Sequence, residues 1–344
     1  MKIPLFGQEN EVPSSATIHR ALVTGAGGFI GQHLVKQLRE KNIDVRALIR
    51  SHPTSFSADV ELVQGDLRDF SNLQQMTKNC DTIFHLAGRT HALDEIDENE
   101  IEYRSINIEG TRNLLEASLK GGIKRFVFFS SVKAMGEKTT GCVDESHPAQ
   151  PLSSYGRSKL EAEQLVLNFG KKHSIHTVCL RLPLVYGIGN KGNIFKMISA
   201  IDRGFFPPLP PMTGRRSMVH VSNVVEAALL AAVTPEADGQ RYLVTDPTPY
   251  TSRQLYEIIR QELGKPTPRW HIPLGVLKLL GKIGDLFGKI RGKRFLFDSQ
   301  ALEKLTEESW YSSEKITREL GFKASFTFPN TLKELITWVH TSQP

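Results

Sequence analysis

The chain has 344 residues, a formal net charge of +6, 40% hydrophobic residues and 23% charged residues, as expected for a globular protein of one or two domains. It has no apolar run near the roughly 20 residues of a membrane helix, and its start lacks the apolar core of a secretory signal. The three cysteines show no metal-ligand spacing and fit a reducing compartment. We therefore expect a cytoplasmic protein with no metal site and no integral membrane segment.

The first half of the chain alternates strand-like and helix-like patterns. The helical patterns include IGQHLVKQLREK and INIEGTRNLLEASLK, and the strand patterns are RALVTG, DVRALIR, VELVQGD, DTIFHLAG, KRFVFFSS and HTVCLRL. Nearly continuous apolar runs between helices are typical of strands buried on both faces. The predicted fold class is α/β, a doubly wound parallel sheet of the Rossmann type.

The predicted domain organisation has three parts. Residues 1–17 form an N-terminal tail, and residues 18–183 form the dinucleotide-binding Rossmann domain. Residues 184–344 form mainly a smaller, substrate-binding lobe, with some segments returning to the Rossmann core. Within that lobe we predict helices over 222–233, 252–263 and 273–290.

A glycine loop follows the first predicted strand. Gly25, Gly28 and Gly31 are spaced G-x-x-G-x-x-G in RALVTGAGGFIGQHLV, and Phe29 and Ile30 lie among them. Such glycines allow a tight turn, close approach of the backbone to a pyrophosphate, and close packing of helix on sheet. The alternative is a plain tight turn, but the position between a strand and a helix favours a dinucleotide site.

The stretch SSYGRSK places Tyr155 four residues before Lys159, which is one turn of a helix. A nearby ammonium would lower the pKa of the phenol, and so we expect an acid/base group usable near neutral pH. The stretch YSSEK gives a second pair, Tyr311 and Lys315, by the same spacing. Only the pair of Tyr155 and Lys159 follows a predicted strand that ends in two serines, the second of which is Ser131. We therefore interpret Tyr155 as the functional tyrosine and the spacing of Tyr311 and Lys315 as a coincidence.

These motifs together resemble the extended short-chain dehydrogenase/reductases, in particular the NAD(P)-dependent nucleotide-sugar epimerase/dehydratase group. The resemblance covers roughly residues 19–340. It rests on TGAGGFIG, GDLRD, HLAG, NIEGTRNLL, SSVKAMGE, YGRSK, RLPLVYG and RRSMVHVSNVVEA. Within the group the chain looks closest to bacterial UDP-hexose 4-epimerases and 4-ketoreductases of polysaccharide pathways.

The resemblance implies a role for each matching position. Tyr155 would be the acid/base, Lys159 would hold the nicotinamide ribose and lower the pKa of Tyr155, and Ser131 would bond the reacting oxygen. Asn107 matches a buried asparagine that is either structural or functional. The expected cofactor contacts are the glycine loop (Gly25, Gly28, Phe29, Ile30 and Gly31), Arg50, Asp66, Leu67, Leu86, Ala87, Gly88, Tyr155 and Lys159.

The substrate contacts implied by the resemblance are Ser131, Asn193, Arg216 and Arg294. Arginine suits a diphosphate because its planar fork binds oxygens in pairs. Related epimerases often carry asparagine where this chain has Leu184, which is a departure from the family pattern. The partner that the resemblance implies is a nucleotide-diphosphate sugar, in particular a UDP-linked one, and not a nucleic acid. The family also implies a homodimer through helices near 99–119 and 153–172.

The second strand ends in Arg50 and Ser51 without an acidic residue. An acid at this point binds the ribose of NAD, whereas an arginine accommodates the 2′-phosphate of NADP. The sequence therefore favours NADP, with NAD as the alternative. Arg50 could also stack on adenine without selecting the phosphate.

Several reactions are compatible with these residues. The favoured one is UDP-hexose 4-epimerisation by hydride transfer at C4, and a UDP-4-keto-sugar reductase would use the same triad. A 4,6-dehydratase fits less well because SSVKAMG lacks the Asp-Glu pair of that branch. A reductase of steroid or flavonoid ketones and a non-catalytic dinucleotide sensor are further alternatives.

The segment GVLKLLGKIGDLFGKI is predicted to form an amphipathic helix. Its apolar positions, 276, 279, 280, 283, 286, 287 and 290, fall on one stripe, and Lys278, Lys282 and Lys289 lie elsewhere. A helix on a membrane surface would show this pattern. We favour packing of the stripe against the substrate lobe.

Overall fold

The computed structural model describes residues 17–50, 56–90, 100–291 and 297–342, with the side chains of residues 290 and 291 left out. The predicted tail up to residue 16, Ser51 and Arg294 lie outside the described residues.

A seven-stranded parallel sheet forms the centre of the molecule. Its strand order is β11-β7-β5-β4-β1-β2-β3, and each neighbouring pair is parallel. The strands are β1 (Arg20–Thr24), β2 (Asp44–Ile49), β3 (Glu61–Gln64), β4 (Thr82–His85), β5 (Arg125–Ser131), β7 (His176–Leu182) and β11 (Gln240–Leu243), with β6 (Cys142–Val143) outside this sheet. The predicted doubly wound parallel sheet is confirmed.

Helices cover both faces of the sheet, which explains the continuous apolar runs in the strands. One face packs against α1 (Phe29–Glu40) and α7 (Val221–Val233). The other packs against α2 (Phe70–Thr77), α4 (Gly110–Gly121) and α5 (Ser154–His173), while α3 (Glu100–Tyr103) precedes a π-helical turn, Arg104–Glu109. Because alternate strand residues enter the two layers, successive residues such as Ile83 and Phe84 are both fully buried.

The remaining elements lie largely in the second half of the chain. The short strands are β8 (Leu184–Tyr186), β9 (Arg215–Arg216), β10 (Met218–His220), β12 (Tyr250–Thr251) and β13 (Trp310–Tyr311). They pair as β10-β8, β12-β9 and β13-β6. The helices are α6 (Asn193–Asp202), α8 (Ser252–Glu262), α9 (Leu274–Arg291), α10 (Ser299–Thr306), α11 (Glu314–Leu320) and α12 (Phe328–Ser342), and single 3₁₀ turns span Val132–Ala134 and Pro235–Ala237.

Part of the second half belongs to the sheet layers. Strand β11 pairs with β7, and α7 packs in the same core as α1. Helices α6, α8 and α12 enclose a separate apolar core around Tyr186 and Tyr256. The sequence analysis did not name β11, because QRYL is short and its first two residues are polar.

Helix α9 does not pack as expected. The apolar stripe was predicted to face the substrate lobe, and this prediction is wrong, since the described stripe residues are 41–59% exposed. The helix packs instead through Leu277, which is 1% exposed, and through the buried Gly281 and Gly284. A Cβ on Gly284 would lie 1.9 Å from the carbonyl oxygen of Phe297, so the glycines allow a contact that any larger residue would block. No helix in the described ranges is long and apolar enough to cross a membrane.

Candidate functional site

The glycine loop turns from β1 into α1 at the carboxyl edge of the sheet. Gly25 has a φ of +67°, and a Cβ there would lie 2.7 Å from the amide nitrogen of Ala87. A Cβ on Gly31 would lie 2.3 Å from the carbonyl oxygen of Gly25. Gly28 caps the helix without a side chain, and helix geometry leaves the first amide groups without intrahelical acceptors. The loop thus has the backbone access and the positive helix end that a pyrophosphate requires.

Charged residues follow the carboxyl ends of β2 and β3, next to β1 and this loop. Arg50 follows β2, and Asp66 and Arg68 follow β3. Asp66 accepts from Nε and Nη2 of Arg68 at 2.8 and 2.6 Å. These bonds come first among the causes that lower the pKa of Asp66 to about 2, and the charge of Arg50 adds to them. Arg50 itself is exposed. Leu67 is buried against Gly110, where a Cβ would approach the Leu67 Cβ to 2.8 Å.

The HLAG turn after β4 is held by a buried asparagine. Asn107 accepts from the amide of Arg89 at 2.7 Å, and it donates to the Arg89 carbonyl at 3.1 Å and to Ser158 Oγ at 2.9 Å. A Cβ on Gly88 would lie 3.0 Å from its oxygen. The side chain of Asn107 therefore ties the turn containing Leu86, Ala87 and Gly88 to α5, and the structural interpretation of this residue accounts for its contacts.

His85 orders a second hydrogen-bond chain under the same turn. Thr111 donates its one hydroxyl proton to the Asn107 carbonyl at 2.6 Å, so Nε2 of His85 must donate to Thr111 at 3.0 Å. Nδ1 then accepts from Thr24 at 2.7 Å, and Thr24 accepts from the Ala87 amide at 3.1 Å. Burial lowers the pKa of His85 to about 3, which keeps the ring neutral as this chain requires.

Glu137 and Gly156 fix the start of the tyrosine helix. Glu137 accepts from the amides of Leu152 and Ser153 at 2.9 and 3.0 Å and from the Ser153 hydroxyl at 2.7 Å. Ser153 in turn caps α5 by accepting from the Gly156 amide at 3.1 Å. A Cβ on Gly156 would lie 2.4 Å from the Lys133 carbonyl oxygen, so this glycine lets α5 approach the end of β5.

Tyr155 and Ser131 meet at this contact. The two side chains are near enough for Ser131 to influence the pKa of Tyr155, and the ring of Tyr103 lies 5.9 Å from that of Tyr155. Burial raises the pKa of Tyr155 to about 12, and Ser131 only partly opposes the shift. The expectation that Lys159 lowers the pKa of Tyr155 is therefore wrong for this structure, because burial outweighs the influence of Ser131 and the Lys159 ammonium donates to the Phe129 carbonyl.

Lys159 lies on the same helix but reaches into the sheet. Its ammonium donates to the Phe129 carbonyl at 2.6 Å and sits 4.1 Å from the ring centre of Phe128. Burial lowers the pKa of Lys159 to about 8, and the carboxylate of Glu163 opposes this shift.

Glu163 was missed in the sequence analysis. It is fully buried, accepts from Ser130 Oγ at 2.6 Å, and pairs with Arg181 at 2.8 Å and Arg241 at 3.0 Å. The bond to Glu163 places Ser130 on the sheet face that α5 covers. The sequence signal that could have identified Glu163 is its position one helical turn after Lys159, on a helix that faces a buried strand.

A cavity of about 410 Å³ opens beside Tyr155. Its wall includes Thr90, Leu184, Asn190 and Asn193. Asn193 begins α6, whose preceding residue, Gly192, caps it without a side chain. The structure thus brings Tyr155 and Asn193 to one cavity, and the departure at Leu184 makes this part of the wall apolar.

Arg216 lies apart from the residues that line this cavity. Its guanidinium donates to the carbonyl of Lys304, and burial lowers its pKa. Within the described part of the chain it forms no ion pair with a carboxylate, because Glu307 pairs with Lys138 at 2.7 Å.

Lys133, two residues after Ser131, was also missed. Its ammonium donates to the Glu137 carbonyl at 3.0 Å, and its pKa is lowered first by burial and further by the charge of Arg216. Lys133 and Arg216 are therefore two partly buried cations whose charges act on each other, and the carboxylate of Glu307 acts on both with the opposite sign. The sequence signal that could have identified Lys133 is its position within the SSVKAMGE motif, directly after the predicted strand.

The second tyrosine–lysine pair does not share a helix. Tyr311 lies on β13 and is buried. Lys315 lies on α11 and donates to Gln240 at 2.8 Å.

Comparison with known proteins gives consistent relatives. The model of the NAD dependent epimerase/dehydratase family matches residues 21–245. UDP-glucose 4-epimerase of Vibrio cholerae is 31% identical over 320 residues, covering 91% of this chain and 92% of that protein. N-acetyl-alpha-D-glucosaminyl-diphospho-ditrans,octacis-undecaprenol 4-epimerase of Escherichia coli O157:H7 is 29% identical over 317 residues, covering 90% and 92%.

A solved structure supports the same assignment. MoeE5 in complex with UDP-glucuronic acid and NAD has a TM-score of 0.75 and 27% identity, covering 94% of this chain and all of that one. Together with the glycine loop and the residues around Tyr155, these matches show that the chain belongs to the NAD-dependent epimerase/dehydratase family, within the extended short-chain dehydrogenase/reductases.

Proposed function

We propose that the protein is a UDP-hexose 4-epimerase that uses Ser131, Tyr155 and Lys159. The observation that carries the proposal is the placement of Tyr155 on the wall of the 410 Å³ cavity, near Ser131, at the sheet edge that bears the glycine loop. The named relatives from Vibrio cholerae and Escherichia coli are both 4-epimerases. A non-catalytic sensor would have no need of a serine and a tyrosine placed together beside a cavity.

The chemistry divides between cofactor and protein. When bound, NAD(P) supplies the hydride exchange with the sugar carbon. Burial keeps Tyr155 protonated in the present state, so it would first have to release its own proton to solvent. The resulting phenolate would accept the proton of the sugar hydroxyl and return it to the ketone oxygen, and Ser131 would orient that oxygen. Lys159 reaches the ribose only if its ammonium leaves the Phe129 carbonyl, to which it now donates.

Two partly buried cations support a diphosphate substrate. Arg216 and Lys133 donate to backbone carbonyls, and their charges act on each other. The carboxylate of Glu307 offsets part of the cost of burying these two like charges, and a bound diphosphate would offset more. The substrates named for both 4-epimerase relatives contain a sugar diphosphate. Arg216 and Lys133 would hold that group, and Asn193 would contact the substrate from the cavity wall.

For the cofactor we infer a preference for NADP(H) over NAD(H). The exposed Arg50 directly follows β2, and Arg68 already neutralises Asp66, so this edge offers a cation to a 2′-phosphate. The same observation favours a second candidate function, a reductase of UDP-4-keto sugars that consumes NADPH.

The protein also carries features that support a homodimer and a reducing compartment. Ile101 on α3 is 86% exposed, on the surface where the family implies pairing between subunits. Cys80 and Cys179 are buried free thiols, which fits the cytoplasm.

Proton NMR of the purified protein with a panel of UDP-sugars tests the proposal. Interconversion of C4 epimers without added NAD(P)H identifies the epimerase. Turnover of a keto sugar only with added NADPH identifies the reductase. Turnover of an uncharged ketone, with no UDP-sugar converted under either condition, would refute both.

A further inference from the structure

Helix α9 presents an apolar surface to the outside of the molecule. Six residues define this surface, which we name the α9 apolar face: Val276, Leu279, Leu280, Ile283, Leu286 and Phe287. Each is between 41% and 59% exposed. At 100° per residue they fall within one arc of the helix, so the exposed side chains form a continuous stripe. Single exposed leucines are ordinary, but a stripe of this size indicates a contact surface.

The orientation of the helix is fixed by its opposite side. Leu277 is buried with Leu209 and Leu302, and Gly281 and Gly284 lie against the chain at Phe297 and Ser299. Asp285 accepts from the amide and hydroxyl of Ser299 at 3.1 and 2.6 Å. Rotating α9 to bury its apolar face would break these contacts and force larger side chains where only glycine fits.

The charge that α9 shows to solvent is positive. Lys278, Lys282 and Lys289 are exposed, and they lie on the border of the apolar face away from the packed side. Asp285, the one acidic residue of the helix, is occupied by Ser299. Trp270 is 63% exposed shortly before the helix begins. An exposed apolar stripe bordered by lysines, with a nearby tryptophan, matches the interfacial region of a bilayer with anionic lipids.

We propose that the α9 apolar face docks on the surface of an anionic membrane. Charge complementarity selects this partner over a second copy of the chain, because a second copy presents the same exposed lysines, whereas an anionic bilayer supplies the opposite charge. The helix lies in the interface without spanning the bilayer. This inference is independent of the substrate, since none of the six residues lines the cavity beside Tyr155.

Flotation with lipid vesicles tests the proposal on the full chain. The wild type should be recovered with vesicles of phosphatidylcholine and phosphatidylglycerol in equal parts at the top of the gradient. A much smaller fraction of the protein should float with vesicles of pure phosphatidylcholine. The double variant Leu279→Ser with Leu286→Ser should bind at least tenfold more weakly, because it removes two exposed apolar anchors. Lys278→Gln with Lys282→Gln should lose roughly tenfold on the anionic vesicles alone.

The matched control is Leu62→Ser on the edge strand β3, where the leucine is 41% exposed. It should bind vesicles like the wild type, and all variants should keep the circular dichroism spectrum of the folded protein. Failure of the wild type to float, or equal binding by the Leu279/Leu286 variant, would overturn the proposal. A lipid-free dimer that dissociates in that variant, without vesicle binding by the wild type, would instead assign the face to a second copy.

Discussion

The ammonium of Lys159 donates to the carbonyl oxygen of Phe129 at 2.6 Å, inside the sheet layer. Tyr155 lies one turn earlier on α5, and the neighbour that acts on the pKa of its hydroxyl is Ser131. Burial lowers the pKa of the lysine to about 8 and raises that of the tyrosine to about 12. In this state both groups favour their neutral forms more than free side chains do, and Tyr155 holds its proton at neutral pH.

Replacing Tyr155 by phenylalanine should lower turnover of a UDP-sugar by about 10²–10⁴-fold, because it removes the proton carrier. Stability should fall by only about 0.5–1.5 kcal/mol, the usual value of one hydrogen bond. Initial rates and urea unfolding measure the two effects.

Tyr311→Phe is the matched control, since it removes the same hydroxyl from a buried tyrosine that is not among the residues lining the cavity beside Tyr155. We expect its turnover to stay within severalfold of the wild type. Equal losses from the two tyrosine variants would contradict the assignment of Tyr155 as the acid/base.

Lys159 should make stability depend on alkaline pH. Its pKa is about 8 in the folded protein and 10.5 as a free side chain. Between these values the unfolded chain binds a proton that the folded chain has released, so the contribution of Lys159 to stability rises with pH through this window. Below about pH 8 the Lys159 ammonium is charged in both the folded and the unfolded chain. The folded protein then bears the full free-energy cost of burying that charge.

The test compares the wild type with Lys159→Met, which is neutral and similar in length. The unfolding free energy of the wild type minus that of the variant should rise by roughly 2–4 kcal/mol between about pH 7 and about pH 10. Urea denaturation at several pH values provides the measurement. A difference that is flat or falls with pH would show that the lysine is not buried as described.

Arg216→Ala should weaken binding of UDP at least tenfold, because losing one partner of a buried charged hydrogen bond typically costs about 2–5 kcal/mol. Lys133→Ala should act in the same direction. Calorimetric titration with UDP measures both, and NADP(H) affinity should be unchanged.

The neighbouring Arg215 supplies a matched control in the same GRRSM segment. It is exposed and stacks on the ring of Trp310 at 4.6 Å. Arg215→Ala should leave UDP affinity within about threefold of the wild type. If all three variants bind UDP equally well, the cations near Ser131 do not hold the diphosphate.

Arg50→Ala should weaken NADP(H) binding by about tenfold or more and change NAD(H) binding little, since an arginine at this position accommodates the 2′-phosphate. Arg68→Ala should affect the two cofactors alike, because its guanidinium is engaged by Asp66. Fluorescence titrations of the wild type and both variants with NADP(H) and NAD(H) measure these dissociation constants. Tighter NAD(H) binding by the wild type, or equal losses for both cofactors in Arg50→Ala, would contradict the preference.

The sequence by itself determined the sheet and the backbone of the site. Continuous apolar runs separated by helical periods require a parallel sheet covered on both faces, and the spacing of Gly25, Gly28 and Gly31 requires a close turn into a helix. The i, i+4 spacing put Tyr155 and Lys159 on one helix, and the end of β5 put Ser131 near it. These are local constraints, each carried by a few neighbouring residues.

Tertiary structure decided what the side chains do. Burial set the pKa values of Tyr155 and Lys159, because desolvation depends on atoms brought in by distant strands. Lys133 and Arg216 approach each other only after the chain between them has folded. The sequence predicted the apolar stripe on α9. An amphipathic pattern defines two faces of a helix, however, and only tertiary packing selects the face that is buried. In this protein the contact of Gly284 with Phe297 turns the apolar stripe outward.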